Sequence, residues 1–228
     1  MTITQFHTEV KVRLDKIDSL QLPNILTSEM DLFLNQAQDR VVKQRYGLTN
    51  PKRQGYEVTQ KRTDDLKAIT RTATLIPSPF SVDNIDSNAR FFTLPIDYWF
   101  VVQERANITY NCGEENEVTT DVEVRPIEHD EFTKSIYDPF KKPNTRKVLR
   151  LMENGQSEII FASGVTLNSY KIRYIKQPVR MSYTGNVTCE LSEHMHSEVV
   201  DECVKIILEN VEANRLKTFI PVVDTTKE

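Results

Sequence analysis

The chain has 228 residues, which at roughly 150 residues per domain suits one domain with an appendage. Six glycines fall well below the ~7% of an average protein, so glycine-built phosphate cradles have little raw material and nucleotide chemistry is disfavoured. With 29 basic and 33 acidic residues the formal charge is −4, too mixed for a dedicated nucleic-acid coat or a membrane-surface binder.

Thr2 and Gln5 are spaced as a capping box, and Ile3, Phe6, Val10, Leu14 and Ile17 recur at steps of three or four, which predicts a first amphipathic helix. A second helix is predicted after Pro23. Thr27 or Ser28 is its expected cap, with Glu29 and Asp31 in the first turn and Met30, Phe33, Leu34, Ala37 and Val41 as its apolar positions. Lys43 and Arg45 fall in the last turn and Gly47 stops it. A short connection predicts that the two pack as an antiparallel hairpin. Thr49 to Gln60 is polar, with Pro51 and Gly55, and reads as an exposed excursion before a short third helix around residues 63–70.

The pattern then turns aromatic and β-branched. Strands are predicted at 73–76, 90–94 and 98–110, separated by Pro77, Pro79 and Pro95. In the longest, Phe100, Val102, Glu104, Ala106, Ile108 and Tyr110 share one side, and burial is expected at its start and exposure toward its end. Residues 111–120 form an acidic hairpin tip before a strand at 118–124. A short helix or turn is expected at 129–137, then strands at 147–152, 158–162 and 170–175, with a turn at Glu153-Asn154-Gly155. Ser192 opens a final helix whose wide stripe comprises Met195, Val199, Val200, Cys203, Ile206, Ile207, Val211 and Leu216. Lys217 to Glu228 lack a pattern and read as an extended tail.

The expected fold class is therefore α+β: an N-terminal antiparallel helical hairpin, an antiparallel β body, a long C-terminal helix and an extended tail. The expected organisation is a single domain over residues 1–216, helical in 1–70 and 190–216 and β in 71–189, with the tail at 217–228.

Candidate chemistry is sparse. Cys112, Cys189 and Cys203 are odd in number and far apart, as for reduced thiols in a cytoplasm. The longest aromatic and aliphatic run, Tyr98 to Val102, is far short of the ~20 residues that span a bilayer, and residues 1–11 have no signal-peptide core. The segment from Cys189 to Glu198 holds His194, His196 and several carboxylates, a zinc-like composition. On a helix, however, the two histidines point about 200° apart, and His194 with Glu198 supplies too few ligands. No nucleophile elbow, Walker-type loop or His-Glu-x-x-His is present. Asp64-Asp65 reads as a solvated pair, and Cys203 as a small buried hydrophobe. No catalytic, cofactor or metal residue is expected. The basic run Lys141, Lys142, Arg146, Lys147 and Arg150 is expected to touch either phosphates or a neighbouring subunit. Local basic patches beside acidic tips suit head-to-tail association.

Met1-Thr-Ile-Thr-Gln-Phe-His7, Ser28 to Arg40, Leu94-Pro-Ile-Asp-Tyr-Trp99 and Glu190 to Asp201 resemble segments of tailed-phage structural proteins. The resemblance is nearest to head-to-tail connector or collar ring proteins, the adaptors of short-tailed crAss-like phages. It implies a non-enzymatic, cofactor-free subunit of a homo-oligomeric ring, usually dodecameric, that joins the portal to the tail and extends the DNA channel. The implied partners are the portal protein, other collar or tail proteins, and double-stranded DNA in passing, with no membrane. The implied location is the virion's head-tail junction, after assembly in the host cytoplasm. Phe219, Ile220, Pro221, Val222 and Val223 would be the partner-docking part of the tail. The alternatives are another tail or fibre-attachment protein, a nucleic-acid binder, and a metal-dependent hydrolase around His194.

Overall fold

A computed structural model of the chain describes residues 1–17, 25–47, 60–79, 83–111 and 117–210. It divides into two compact units. One is Met1–Ile69 with the chain from Pro178 onward, the other Thr70–Gln177. The first unit is thus discontinuous in sequence, interrupted by the second between Ile69 and Pro178.

The first unit is built on α1 (Ile3–Ile17), α2 (Thr27–Tyr46), α3 (Gln60–Leu66) and α5 (His196–Asn210). The capping box at Thr2 forms in both directions: Gln5 Oε1 accepts from Thr2 N–H at 2.8 Å and Thr2 Oγ1 accepts from Gln5 N–H at 3.3 Å. In α2 the cap lies one residue earlier than predicted, at Leu26, because Glu29 reaches back to accept from the Leu26 amide at 3.0 Å. Ile3, Phe6, Val10 and Leu14 are buried on α1, and Met30, Leu34, Ala37, Val41 and Val42 on α2. Both N-terminal helices pack on α5, and α2 meets it most extensively. The reason is the stripe of α5, where Val199, Val200, Cys203, Val204, Ile206, Ile207 and Leu208 are all buried, too wide for one partner to cover.

The second unit is a seven-stranded sheet in the order β1-β7-β3-β4-β5-β6-β2. Its strands are β1 (Thr70–Leu75), β2 (Ala89–Thr93), β3 (Tyr98–Asn111), β4 (Glu117–Pro126), β5 (Lys147–Glu153), β6 (Gln156–Ile160) and β7 (Val165–Lys176). Neighbours pair antiparallel, except that β4 and β5 run parallel through a crossover carrying α4 (Phe132–Tyr137). The sheet curls, bringing Phe92 of β2 and Tyr170 of β7 to a ring separation of 5.3 Å although they stand far apart in strand order. The concave face encloses one core, with Ala106, Ile108, Val122, Val148, Ile159 and Ile172. On the convex face Ile127, Phe132 and Ile136 cover Ala89, Leu149, Leu151 and Ile160.

Two local irregularities explain where periodicity misleads. Asn168 is an extra residue in β7, since Asn107 pairs with Ser169 but Ile108 with Leu167, and its side chain donates to Asn107 Oδ1 and Thr109 Oγ1. This bulge flips the alternation and conceals the first half of a strand predicted to begin at residue 170. In β3 the expected burial gradient is reversed. Register shifts interrupt its first half, which is half-buried, while Ala106 and Ile108 are fully buried. The β5–β6 turn falls where predicted, with positive φ of 45° at Asn154 and 73° at Gly155, as a tight hairpin turn requires. The β2 edge is blunted by the proline-flanked Ser78, whose amide donates to Phe91 O at 2.8 Å.

Candidate functional site

Within the helical unit several arginines pair with carboxylates of neighbouring elements. Arg13 ties α1 to α5, bonding Asp201 and also Glu9 at 3.2 Å. Arg40 on α2 meets Glu209 of α5 at 3.2 Å, and Arg180 meets Asp39 at 2.8 Å. Arg45 is buried. Its Nε lies 3.0 Å from Asp65 Oδ2, and its terminal nitrogen bonds Glu198. Asp65 is 0% exposed and receives a second contact from His194 Nε2 at 2.7 Å. Here the sequence reading is corrected: Asp65 is no solvated surface residue but the buried centre of a network joining α2, α3 and the turn before α5.

That network also accounts for the zinc-like segment. His194 is occupied by Asp65 and Glu198 by Arg45, while His196 Nε2 donates to Leu191 O, 3.1 Å away. Burial, with the nearby N-terminal ammonium, lowers the His196 pKa below its ordinary value. Among the described residues no group of three or more His, Cys, Asp and Glu is placed to hold a metal ion.

Burial pushes the Cys189 thiol up to about 11 and raises that of Cys203 further, so neither thiolate forms near neutrality. In a Cys112→Ser background both are expected to resist an aromatic disulfide reagent in native buffer and to react together on unfolding. Rapid labelling of Cys203 with the fold intact would contradict that. Cys112 lies outside the described residues.

The predicted basic run divides. Lys141, Lys142 and Arg146 are exposed between α4 and β5, and among the described residues their side chains form no ion pair. Lys147 is half-buried, its ammonium donating to Phe140 O. Arg150 points into the curled sheet, where it meets Glu104 at 2.7 Å with side-chain exposures of 10% and 8%. Tyr170 donates to the same Glu104 oxygen. Burial raises the Glu104 pKa, and the Tyr170 hydroxyl and Arg150 guanidinium pull it back down. Burial and the Glu104 charge raise the Tyr170 phenol well above its ordinary value. Arg150 thus braces β3, β5 and β7 from within, and its charge is spent internally. Phe140 and Tyr137, beside the exposed lysines, are 88% and 82% exposed, an aromatic flank that the charge reading missed. The tail residues 219–223 lie outside the described residues.

Another cationic group was not singled out by sequence. Arg105 on β3 lies opposite Lys171 on β7, with Arg173 two residues along, all exposed on the convex face. Strand alternation would have found it, because these positions oppose the buried Ala106, Ile172 and Tyr174.

No helix among the described residues is long and apolar enough to cross a membrane. The family model for phage tail ring protein 3/4 matches residues 1–217. Ring protein 4/5 of Bacteroides phage crAss001 is 25% identical over 227 residues, covering 90% of this chain and 92% of that protein. Ring protein 3 of the same phage is 25% identical over 205 residues, covering 82% of this chain and 86% of its own.

Proposed function

Because this chain belongs to the phage tail ring protein 3/4 family, and so is a structural ring protein of a virion, we propose that it forms a closed homo-oligomeric collar that joins the portal to the tail and extends the DNA channel. The collar is a dodecamer at the head-tail junction, assembled in the host cytoplasm from subunits that meet head to tail. The observation that carries this reading is the division of charge. Arg13, Arg40 and Arg45 of the helical unit are each joined to carboxylates of the same unit, whereas Lys141, Lys142 and Arg146 of the β unit are exposed and form no ion pair among the described residues. A rigid helical body and an uncommitted, charged β surface suit a subunit that works through contacts with others.

Lys141, Lys142, Arg146 and the neighbouring Lys147 contact DNA phosphates in the channel or an adjacent protein, with Tyr137 and Phe140 supplying apolar area beside them. Residues 219–223 dock on the portal or a neighbouring subunit. Electron micrographs of the purified protein, alone and mixed with portal, are expected to give class averages of a ring with a central channel. Monomers in both samples would sink the proposal.

A further inference from the structure

The ring reading leaves open which surfaces meet, and the β unit carries two clusters whose charges are uncommitted. Arg105, Lys171 and Arg173 are exposed on the convex face of β3 and β7, and among the described residues their side chains form no ion pair or hydrogen bond. Arg105 and Lys171 are direct partners in the β3–β7 register. Like charges facing each other across a ladder are destabilising, so the isolated subunit holds a repulsion that incoming carboxylates would relieve. Glu123 faces Arg105 from the β4 side, yet the two form no ion pair.

The opposite cluster is Glu128, Asp130 and Glu131. It occupies the cap and single turn of 3-10 helix (His129–Glu131) that follow β4 and lead into α4. All three carboxylates are exposed and likewise uncommitted among the described residues. Their position is held firmly, because Phe132 and Ile136 immediately behind them pack over Leu149, Leu151 and Ile160.

In strand order the cations sit on the second and third strands, while α4 covers the fifth to seventh. At ~4.8 Å per strand, two or more strand spacings lie between the cationic strands and those that α4 covers, more than the ~8 Å Debye length, and one paired sheet holds them apart. They cannot neutralise each other within a copy. We propose that neighbouring copies join through a heterologous contact in which Arg105, Lys171 and Arg173 of one subunit meet Glu128, Asp130 and Glu131 of the next. Opposite flanks of one sheet then engage, so the contact repeats head to tail in one rotational sense, the kind of interface from which a closed ring is built. A second copy is favoured over a nucleic-acid backbone because the same chain itself presents an exposed carboxylate cluster complementary to the cationic face.

The test is a charge swap. One variant carries Glu128→Lys, Asp130→Lys and Glu131→Lys; the other carries Arg105→Glu, Lys171→Glu and Arg173→Glu. Under the conditions in which the wild type assembles, each variant alone is expected to sediment as a monomer at least tenfold above the wild-type assembly concentration. Their equimolar mixture is expected to form rings of alternating subunits, since only unlike neighbours pair. Circular dichroism and melting temperature report whether each variant folds. Should a reversal unfold the subunit, the neutral set Glu128→Gln, Asp130→Asn, Glu131→Gln replaces it, with weakened assembly expected. Variants that each assemble like wild type, or a mixture that stays monomeric, would overturn the pairing and leave the ring reading standing. A wild type that never assembles, with or without portal, would remove the ring reading itself and this contact with it.

Discussion

Replacing Arg150 with methionine is expected to destabilise the β unit by about 3–5 kcal/mol near neutral pH, the usual cost of leaving a buried charge without its partner. Glu104, with a side-chain exposure of 8%, would keep only the Tyr170 hydroxyl. The effect has a sign in pH. Burial already raises the folded pKa of Glu104 above its ordinary 4.5, so the folded state holds its proton more tightly than the unfolded state. For such a group the relative stability is fullest below the unfolded pKa and is lost as pH rises through the folded one. Without Arg150, which pulls that pKa down, the window widens upward. The deficit of the variant should therefore be largest at neutral pH and shrink as pH falls toward 4.5. Adding Glu104→Gln should restore most of the stability by removing the stranded charge and keeping an acceptor for Tyr170. Urea unfolding across the pH range measures all of this. A neutral-pH deficit under about 1 kcal/mol, or one independent of pH, would show that the pair braces nothing.

In the helical unit, Arg45→Met is expected to cost a similar ~3–5 kcal/mol, because two carboxylates lose their cation together. Asp65 is fully buried and Glu198 has a side-chain exposure of 16%, so neither relaxes readily into water. Arg45→Lys should fall between, since one ammonium cannot reproduce the fork that spans Asp65 and Glu198. Asp65→Asn in the methionine background should recover part of the loss. Amide hydrogen exchange supplies a localised readout: protection should drop in α3 and the first turn of α5, while the β unit keeps its own. Wild-type protection in α3 of the Arg45→Met protein would show that packing alone holds the helix.

Both predictions rest on residues whose importance the linear pattern conceals. Arg45 reads as a last-turn cation suited to the helix dipole, which is true of its position but not of its burial. Arg150 reads as the end of a basic run, yet it lies on the concave side of β5 and turns inward with Val148, while Lys147 does not. Asp64 and Asp65 are adjacent, and only the second is buried: Asp64 pairs with Lys67 at the surface. One residue of helical phase, 100°, separates the two fates.

What the chain specified without tertiary information is everything that depends on near neighbours. Helix faces, the Thr2 capping box, the Asn154-Gly155 turn and the α+β class follow from steps of two to four residues, over which backbone geometry is nearly independent of the rest of the molecule. Tertiary structure alone decided the strand order, the parallel β4–β5 pair and the identity of the buried charges. Those partners are remote: 46 residues separate Glu104 from Arg150, 129 separate Asp65 from His194, and 153 separate Arg45 from Glu198. Local propensity carries no record of a remote partner, and only the closure of the sheet and the helix packing bring those charges within bonding distance, where removal from water makes each depend on the other.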